Sequence, residues 1–236
     1  MRLDRFICKS TALSRQEARA VIMQSRVVVN GSTDVHEAFQ VHENNHITLD
    51  GKPLKPRPSR YLMLHKPAGF VSSNVDGRYP SLFKNIDIPD TDNLHIAGRL
   101  DRDTTGLVLI TDDGRWSFEI TSPDTHCEKT YRVTLRDSIR EDAVQQLEQG
   151  MEIQGMKNRT RPAKVEILTP KEVLLTITEG KYHQVKRMFG ATGNKVVALH
   201  RQKIGALNLD IKVGDWRYLT SEEVCLFQTN NQMELS

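Results

Sequence analysis

Three short stretches of the 236-residue sequence place charged side chains where chemistry could use them. The first is "HIAGRLDRDTTGLVLITDDG", residues 95–114. Its Gly106–Thr111 run is apolar and β-branched and reads as a buried strand, closed by an Asp112-Asp113-Gly114 turn. Arg99, Asp101, Arg102 and Asp103 alternate in sign at the mouth of that strand, so they form either a solvated loop or a site. The residues alone divide the interest about evenly between Asp101 and Asp103. The second stretch, "LHKPAGFVSS" (64–73), reads as strand, Lys66-Pro67-x-Gly69 turn, strand. In the third, "ITEGKYHQVKRMF" (177–189), a strand ends at Glu179-Gly180 and a helix starts near His183. Lys181, His183, Lys186 and Arg187 then surround a helix N-terminus, a place that favours phosphate oxygens.

Other chemistries are set aside by what is missing. The sequence has no GxxxxGK[ST] loop, no Gly-rich dinucleotide turn after the first strand, no HExxH and no GxSxG elbow. A metal site is not expected: His36, His42 and His46 lie in turn-rich sequence without a carboxylate at fixed spacing. Cys8, Cys127 and Cys225 are odd in number and far apart, which suits a reducing cytoplasm. The charged start "MRLDRFICKS" does not read as a signal peptide, and no run is apolar enough for a membrane span. A soluble cytoplasmic protein is expected.

Net charge is only +3, but it is unevenly placed. Residues 1–60 hold ten Lys/Arg against six Asp/Glu, whereas residues 61–236 hold 23 against 24. Two later stretches, 157–164 and 181–203, carry basic residues and no acid. Basic clusters on a near-neutral body suit a polyanion surface, although solvated charge explains them equally well.

The elements that must position these residues fall into two parts. "DGKPLKPRPSR" (50–60), with three prolines and four basic residues, reads as a stiff linker. It divides a small N-terminal α/β domain with its linker, 1–59, from a catalytic-sized domain, 60–236. In the first part Leu3, Phe6 and Ile7 mark a short helix. Ser14 and Glu17 form a capping box for a second, near 14–24, and "RVVVNG" and "HITLDG" read as paired strands. The second part reads as strands near 61–64, 69–72, 107–111, 130–135, 164–168, 173–178, 195–200 and 207–211, with helices near 139–149 and 184–191. Many strands and few helices predict an α+β domain built on an antiparallel-rich mixed sheet.

Taken in order, Lys66-Pro67-x-Gly69, Gly98-Arg-Leu-Asp-Arg-Asp-Thr-Thr-Gly-Leu107, Lys129-Thr-Tyr131 and Glu179-Gly-Lys-Tyr-His-Gln-Val-Lys-Arg-Met188 resemble the RsuA branch of the pseudouridine synthases. "ITSP" and "HCEKTY" are closest to its small-subunit rRNA members. "RLDRFI", "SRQEARAVI" and "RVVVNG" resemble an S4 RNA-binding domain. The resemblance spans essentially the whole chain and implies a pseudouridine synthase fold.

The resemblance also implies an activity and a set of roles. The enzyme would convert one uridine of 16S rRNA, expected at position 516, to pseudouridine in a bacterium, acting on free rRNA or a partly assembled small subunit. Asp101 would initiate cleavage of the glycosidic bond, by attack on C1′ or by removal of a C2′ proton. Lys186 stands where the family pairs a basic residue, often arginine, with that aspartate; a nearby opposite charge keeps a carboxylate ionised. Tyr131 would stack on the base and help remove the C5 proton, Ile177 would wall the base, and Arg99 would displace the nucleotide or hold a phosphate. Lys66, Lys181, His183 and Arg187, with Arg5, Arg15, Arg19 and Arg26 of the S4-like part, complete the expected RNA-binding set. Asp103 is then left as a turn-capping carboxylate. The base rejoins through C5, so no cofactor is expected, and a monomer is implied. The alternatives are a related synthase acting on 23S rRNA or tRNA, and a non-catalytic assembly protein that keeps the fold. The intact aspartate motif weighs against the latter.

Overall fold

The computed structural model describes residues 1–74 and 77–228, and the end of the expected catalytic domain, 229–236, lies outside the described residues. The chain divides into two compact units, one of residues 1–59 with 90–93 and one of the remainder.

The first unit contains α1 (Leu3–Ser10), α2 (Arg15–Met23), β1 (Val27–Val29), β2 (Ile47–Leu49) and β3 (Lys52–Pro53). Ser14 caps α2: its side chain accepts from the Glu17 N–H while the Glu17 carboxylate reaches back to the Ser14 N–H at 2.8 Å. Leu3, Ile7, Ala18, Ile22, Val27 and Ile47 bury one core between the helices and the antiparallel β1–β2–β3 sheet.

The second unit contains β4 (Tyr61–Lys66), β5 (His95–Ala97), β6 (Thr105–Thr111), α3 (Gly114–Thr121), β7 (Lys129–Leu135), α4 (Glu141–Gln149), β8 (Lys164–Thr169) and β9 (Glu172–Ile177). It continues through α5 (Gln184–Ala191), β10 (Val196–Ile204), β11 (Leu207–Asn208), β12 (Trp216–Tyr218) and α6 (Ser221–Cys225). Its mixed sheet runs β12-β4-β6-β10-β7-β9-β8, with β5 beside β6 and β11 beside β10. Among the described residues, β6 and β10 are the only strands of this sheet that pair in parallel. The run Leu107-Val-Leu-Ile110 is apolar throughout because both faces of the sheet are covered. Val108 and Ile110 join a core with Leu62, Val133 and Phe189, while Leu107 and Leu109 join another with Trp116, Ile120 and Ile204.

Two expectations fail here. Residues 69–72 are not a strand: Val71 makes one isolated bridge to Ser81 and backbone bonds with Pro80 and Leu82, while Gly69 and Ser72 bond to the loop before β6. Asp112-Asp113-Gly114 is not merely a turn, because Asp113 caps α3, its Oδ1 accepting from the N–H groups of Arg115 (2.9 Å) and Trp116 (3.2 Å). Trp116 and Ile120, one turn apart, then bury that helix against the sheet.

Gly106 marks the tightest approach in the sheet. Its φ is +112°, and a Cβ there would lie 2.2 Å from the Arg201 carbonyl oxygen on β10. Gly106→Ala is therefore expected to destabilise the protein by about 3 kcal/mol or more, read as a lowered urea midpoint.

Candidate active site

The loop joining β5 to β6, residues 98–104, is braced from beneath by the Lys-Pro-x-Gly turn. Lys66 is fully buried, and its ammonium donates to the carbonyls of Thr104 (2.8 Å), Pro67 (3.0 Å) and Arg102 (3.3 Å). The Gly69 N–H donates to the Arg102 carbonyl at 2.8 Å. Ser72 Oγ donates to the Leu100 carbonyl at 2.9 Å and accepts from the Leu100 N–H at 3.1 Å. Turn and brace hold the backbone on both sides of Asp101. Burial pulls the Lys66 ammonium down to about 8, against the opposing charges of Asp103 and Asp101. Lys66, expected as an RNA contact, is thus buried with its ammonium bonded to three carbonyls and anchors the loop.

Facing this loop is the first turn of α5. Lys186 Nζ donates to Asp101 Oδ2 at 3.0 Å and to Asp103 Oδ1 at 2.5 Å. His183 Nε2 lies 3.4 Å from Asp101 Oδ1. Burial works to lower the Lys186 titration, but hydrogen bonds to Asp103 and Asp101 outweigh it and hold the ammonium above the ordinary lysine value. For Asp103, burial pushes upward, and the Lys186 hydrogen bond and charge bring the carboxyl below its ordinary range. Asp103 is thus a partner of Lys186 rather than a simple turn cap. The turn closes through backbone, with the Thr104 N–H donating to the Asp101 carbonyl at 3.1 Å.

One pocket is lined by Arg99, Asp101, Tyr131, Ile177, Lys181, His183 and Lys186, all of them expected from the sequence. Tyr131 and Ile177 are buried walls from the neighbouring strands β7 and β9, and Arg99 stands exposed. Lys181 is tied back, Nζ donating to the Arg159 carbonyl at 2.8 Å and lying 3.2 Å from Glu179. Arg187 does not line this pocket; its guanidinium is held by the carbonyls of Gln154 and Tyr182. In the first unit Arg5 is exposed, and Arg15 and Arg19 are about half exposed with Nε 3.1 and 3.6 Å from buried Asp4. Arg26 is engaged by Asp50 through two hydrogen bonds of 2.9 and 2.6 Å.

Three contributors were missed by sequence reading. Glu179 is 5% exposed and holds the loop before α5 together, accepting from the Arg161 N–H (2.9 Å) and from Gln184 Nε2 (2.7 Å). Gln184 Oε1 in turn accepts from the Lys181 N–H at 2.9 Å. The third is Arg201, which is buried on β10 and reaches Tyr131. An isolated glutamate after a strand and an arginine within a basic stretch both read as solvated charge.

Comparison with known proteins decides the family. Residues 60–191 match the RNA pseudouridylate synthase model, and residues 1–33 match the S4 domain. The chain belongs to the RNA pseudouridylate synthase family. It is 50% identical over 230 residues to the ribosomal small subunit pseudouridine synthase A of Pasteurella multocida, covering 96% of this chain and 99% of that one. Identity to the protein of the same name from Escherichia coli (strain K12) is 48% over 227 residues, covering 95% and 98%. A crystal structure of a pseudouridylate synthase, 47% identical, superposes with a TM-score of 0.71 over 97% of this chain and all of that one. The chain is thus a pseudouridine synthase with an S4 domain at its N-terminus, and its mixed sheet is the synthase fold.

Within a pseudouridine synthase, the shared grip of Lys186 gives a graded expectation. The Asp103 side chain is 67% exposed, so its pairing with Lys186 is screened. Asp103→Asn should lower the single-turnover isomerisation rate by no more than about threefold, as Lys186 remains paired with Asp101.

Proposed function

We propose that this enzyme isomerises one uridine of small-subunit (16S) rRNA, expected at position 516, to pseudouridine, acting as a cytoplasmic monomer on free rRNA or a partly assembled small subunit. The observation that carries the reading is the Asp101–Lys186 ion pair in a pocket walled by Tyr131 and Ile177. The names of the relatives, which match the chain from end to end, support the choice of small-subunit rRNA.

Asp101 starts the reaction, its carboxylate attacking C1′ or taking a C2′ proton, while Lys186 orients it through the 3.0 Å hydrogen bond. The released uracil turns between Tyr131 and Ile177 and presents C5 to C1′. C5 then loses its proton and N1 gains one, so the product is an isomer. Arg99, unpaired among the described residues, meets the RNA backbone at the pocket mouth. Residues 1–59 act as a recruiting module, with Arg5, Arg15 and Arg19 offering charge to phosphates and hence salt-dependent affinity.

Loss of the C5 hydrogen provides the test. Unmodified 16S rRNA, 23S rRNA and tRNA, each labelled with tritium at uridine C5, are incubated with the purified protein. Release approaching one tritium per 16S molecule, free or in assembling subunits, and none from the other RNAs is expected. Release from 23S rRNA or tRNA instead would overturn the substrate assignment.

A further inference from the structure

Arg201 is 2% exposed, yet among the described residues no carboxylate lies within ion-pair distance of its guanidinium. Nε donates to the Leu107 carbonyl (2.8 Å), Nη2 to the Gly98 carbonyl (2.7 Å) and Nη1 to Tyr131 Oη (3.3 Å). Lys66 and Lys129, 0% and 5% exposed, are buried near it and likewise form no ion pair among the described residues. A buried cation without a counter-ion is strongly unfavourable, and carbonyl oxygens offset only part of that. The close packing of Gly106 on the Arg201 backbone and the Gly98 bond fix the guanidinium in advance. Of its three hydrogen bonds, two end on backbone, and the third ends on the one side chain that also lines the pocket.

We infer that Arg201 is a positioning residue that holds Tyr131 from behind and, through its hydroxyl, presents fixed positive charge to the uracil anion formed when the glycosidic bond breaks. This rests on the function proposed above. Breaking N1–C1′ sends the bond's electron pair to N1, from which it spreads onto O2 and O4, whichever way Asp101 acts. The pair returns when C5 bonds to C1′, C5 releases its proton and N1 takes one up, so nothing is oxidised or reduced. Because Tyr131 Oη accepts from Arg201, the phenol's own hydrogen is directed away from the guanidinium. A charge fixed before the anion forms stabilises it without reorganisation.

The test compares full-length wild type, Arg201→Met and Arg201→Lys in single turnover on 16S rRNA carrying uridine or 5-fluorouridine. Both RNAs are followed as loss of the N-linked nucleoside from nuclease digests, because C5 of the fluorinated base has no proton to release. Fluorine stabilises the departing anion, so a residue serving that anion matters less on the fluorinated RNA, whereas general structural damage affects both alike. Arg201→Met should lose about 100-fold on uridine RNA and about tenfold or less on the fluorinated RNA, with RNA affinity within about twofold of wild type. Arg201→Lys should recover at least about tenfold of that loss, and in a Tyr131→Phe background the Arg201→Lys change should cost less than about threefold. Equal losses on the two RNAs, or losses additive with Tyr131→Phe, would overturn the inference. If Arg201→Met fails to fold, Arg201→Lys decides by the same two comparisons. A wild-type protein that converts neither RNA would instead sink the proposed function.

Discussion

Asp101→Asn is expected to reduce single-turnover isomerisation by at least about 10⁴-fold, since removing a reacting group costs far more than removing its support. Asparagine keeps the shape of the side chain and can still accept from Lys186 Nζ through its carbonyl oxygen, so the loop should hold. What disappears is the negative charge that the proposed mechanism uses either to attack C1′ or to accept a C2′ proton. The backbone of the loop is held independently by Lys66, Gly69 and Ser72, none of which touches the Asp101 carboxylate. Thermal stability and RNA affinity should accordingly stay near wild type, measured by melting and by filter binding alongside tritium release. A rate near wild type would place the chemistry on another residue.

Lys186→Met is expected to lower the same rate by about 100- to 1,000-fold, because it removes a cation that contacts both carboxylates. With it gone, Asp101 and Asp103 face each other as like charges, and His183 at 3.4 Å is the remaining neighbour of Asp101. Lys186→Arg restores the charge and should return the rate to within about tenfold of wild type, although the planar fork sits differently from a point charge. The pH dependence has a defined sign. The Lys186 ammonium is raised in the folded protein, so its contribution is complete below the ordinary lysine value of 10.5. That contribution is lost only as pH climbs through the higher folded value. Asp103 is lowered, so its share is complete above 3.8 and fades only as pH falls through its depressed value. The cluster is therefore intact across the neutral range, and a pH–rate profile of wild type between pH 6 and 9 should show no fall traceable to Lys186.

The strands were legible because their signals are local. "GLVLIT" and "KTYRVTL" carry β-branched runs, and the capping box at Ser14 names a helix start by itself. The segment after Lys66 misled because a β-rich composition does not say where its hydrogen bonds go. Gly69 and Ser72 give theirs to the loop of residues 100–104, leaving no ladder. At Asp113 the same residue type serves a turn and a helix cap, and only the Trp116–Ile120 spacing favours the helix.

The site was legible to a different extent. The residues of the GRLD and HQVK segments meet in one pocket, which the order of motifs implied but no spacing could show, since 85 positions separate Asp101 from Lys186. Periodicity could not separate Asp101 from Asp103 either, because one lysine reaches both. Arg201 was hidden for a plainer reason. A basic residue in a basic stretch reads as solvent-facing, and only three-dimensional packing against Gly106 and Tyr131 reveals that it is buried.

The most direct test of the central claim is a map of pseudouridine in 16S rRNA after treatment with wild type or Asp101→Asn, using carbodiimide labelling and primer-extension stops. A single new stop, at the position expected for residue 516, that is absent with Asp101→Asn is the predicted result. A stop that survives the substitution, or no stop on free rRNA or on assembling subunits while binding persists, would contradict it.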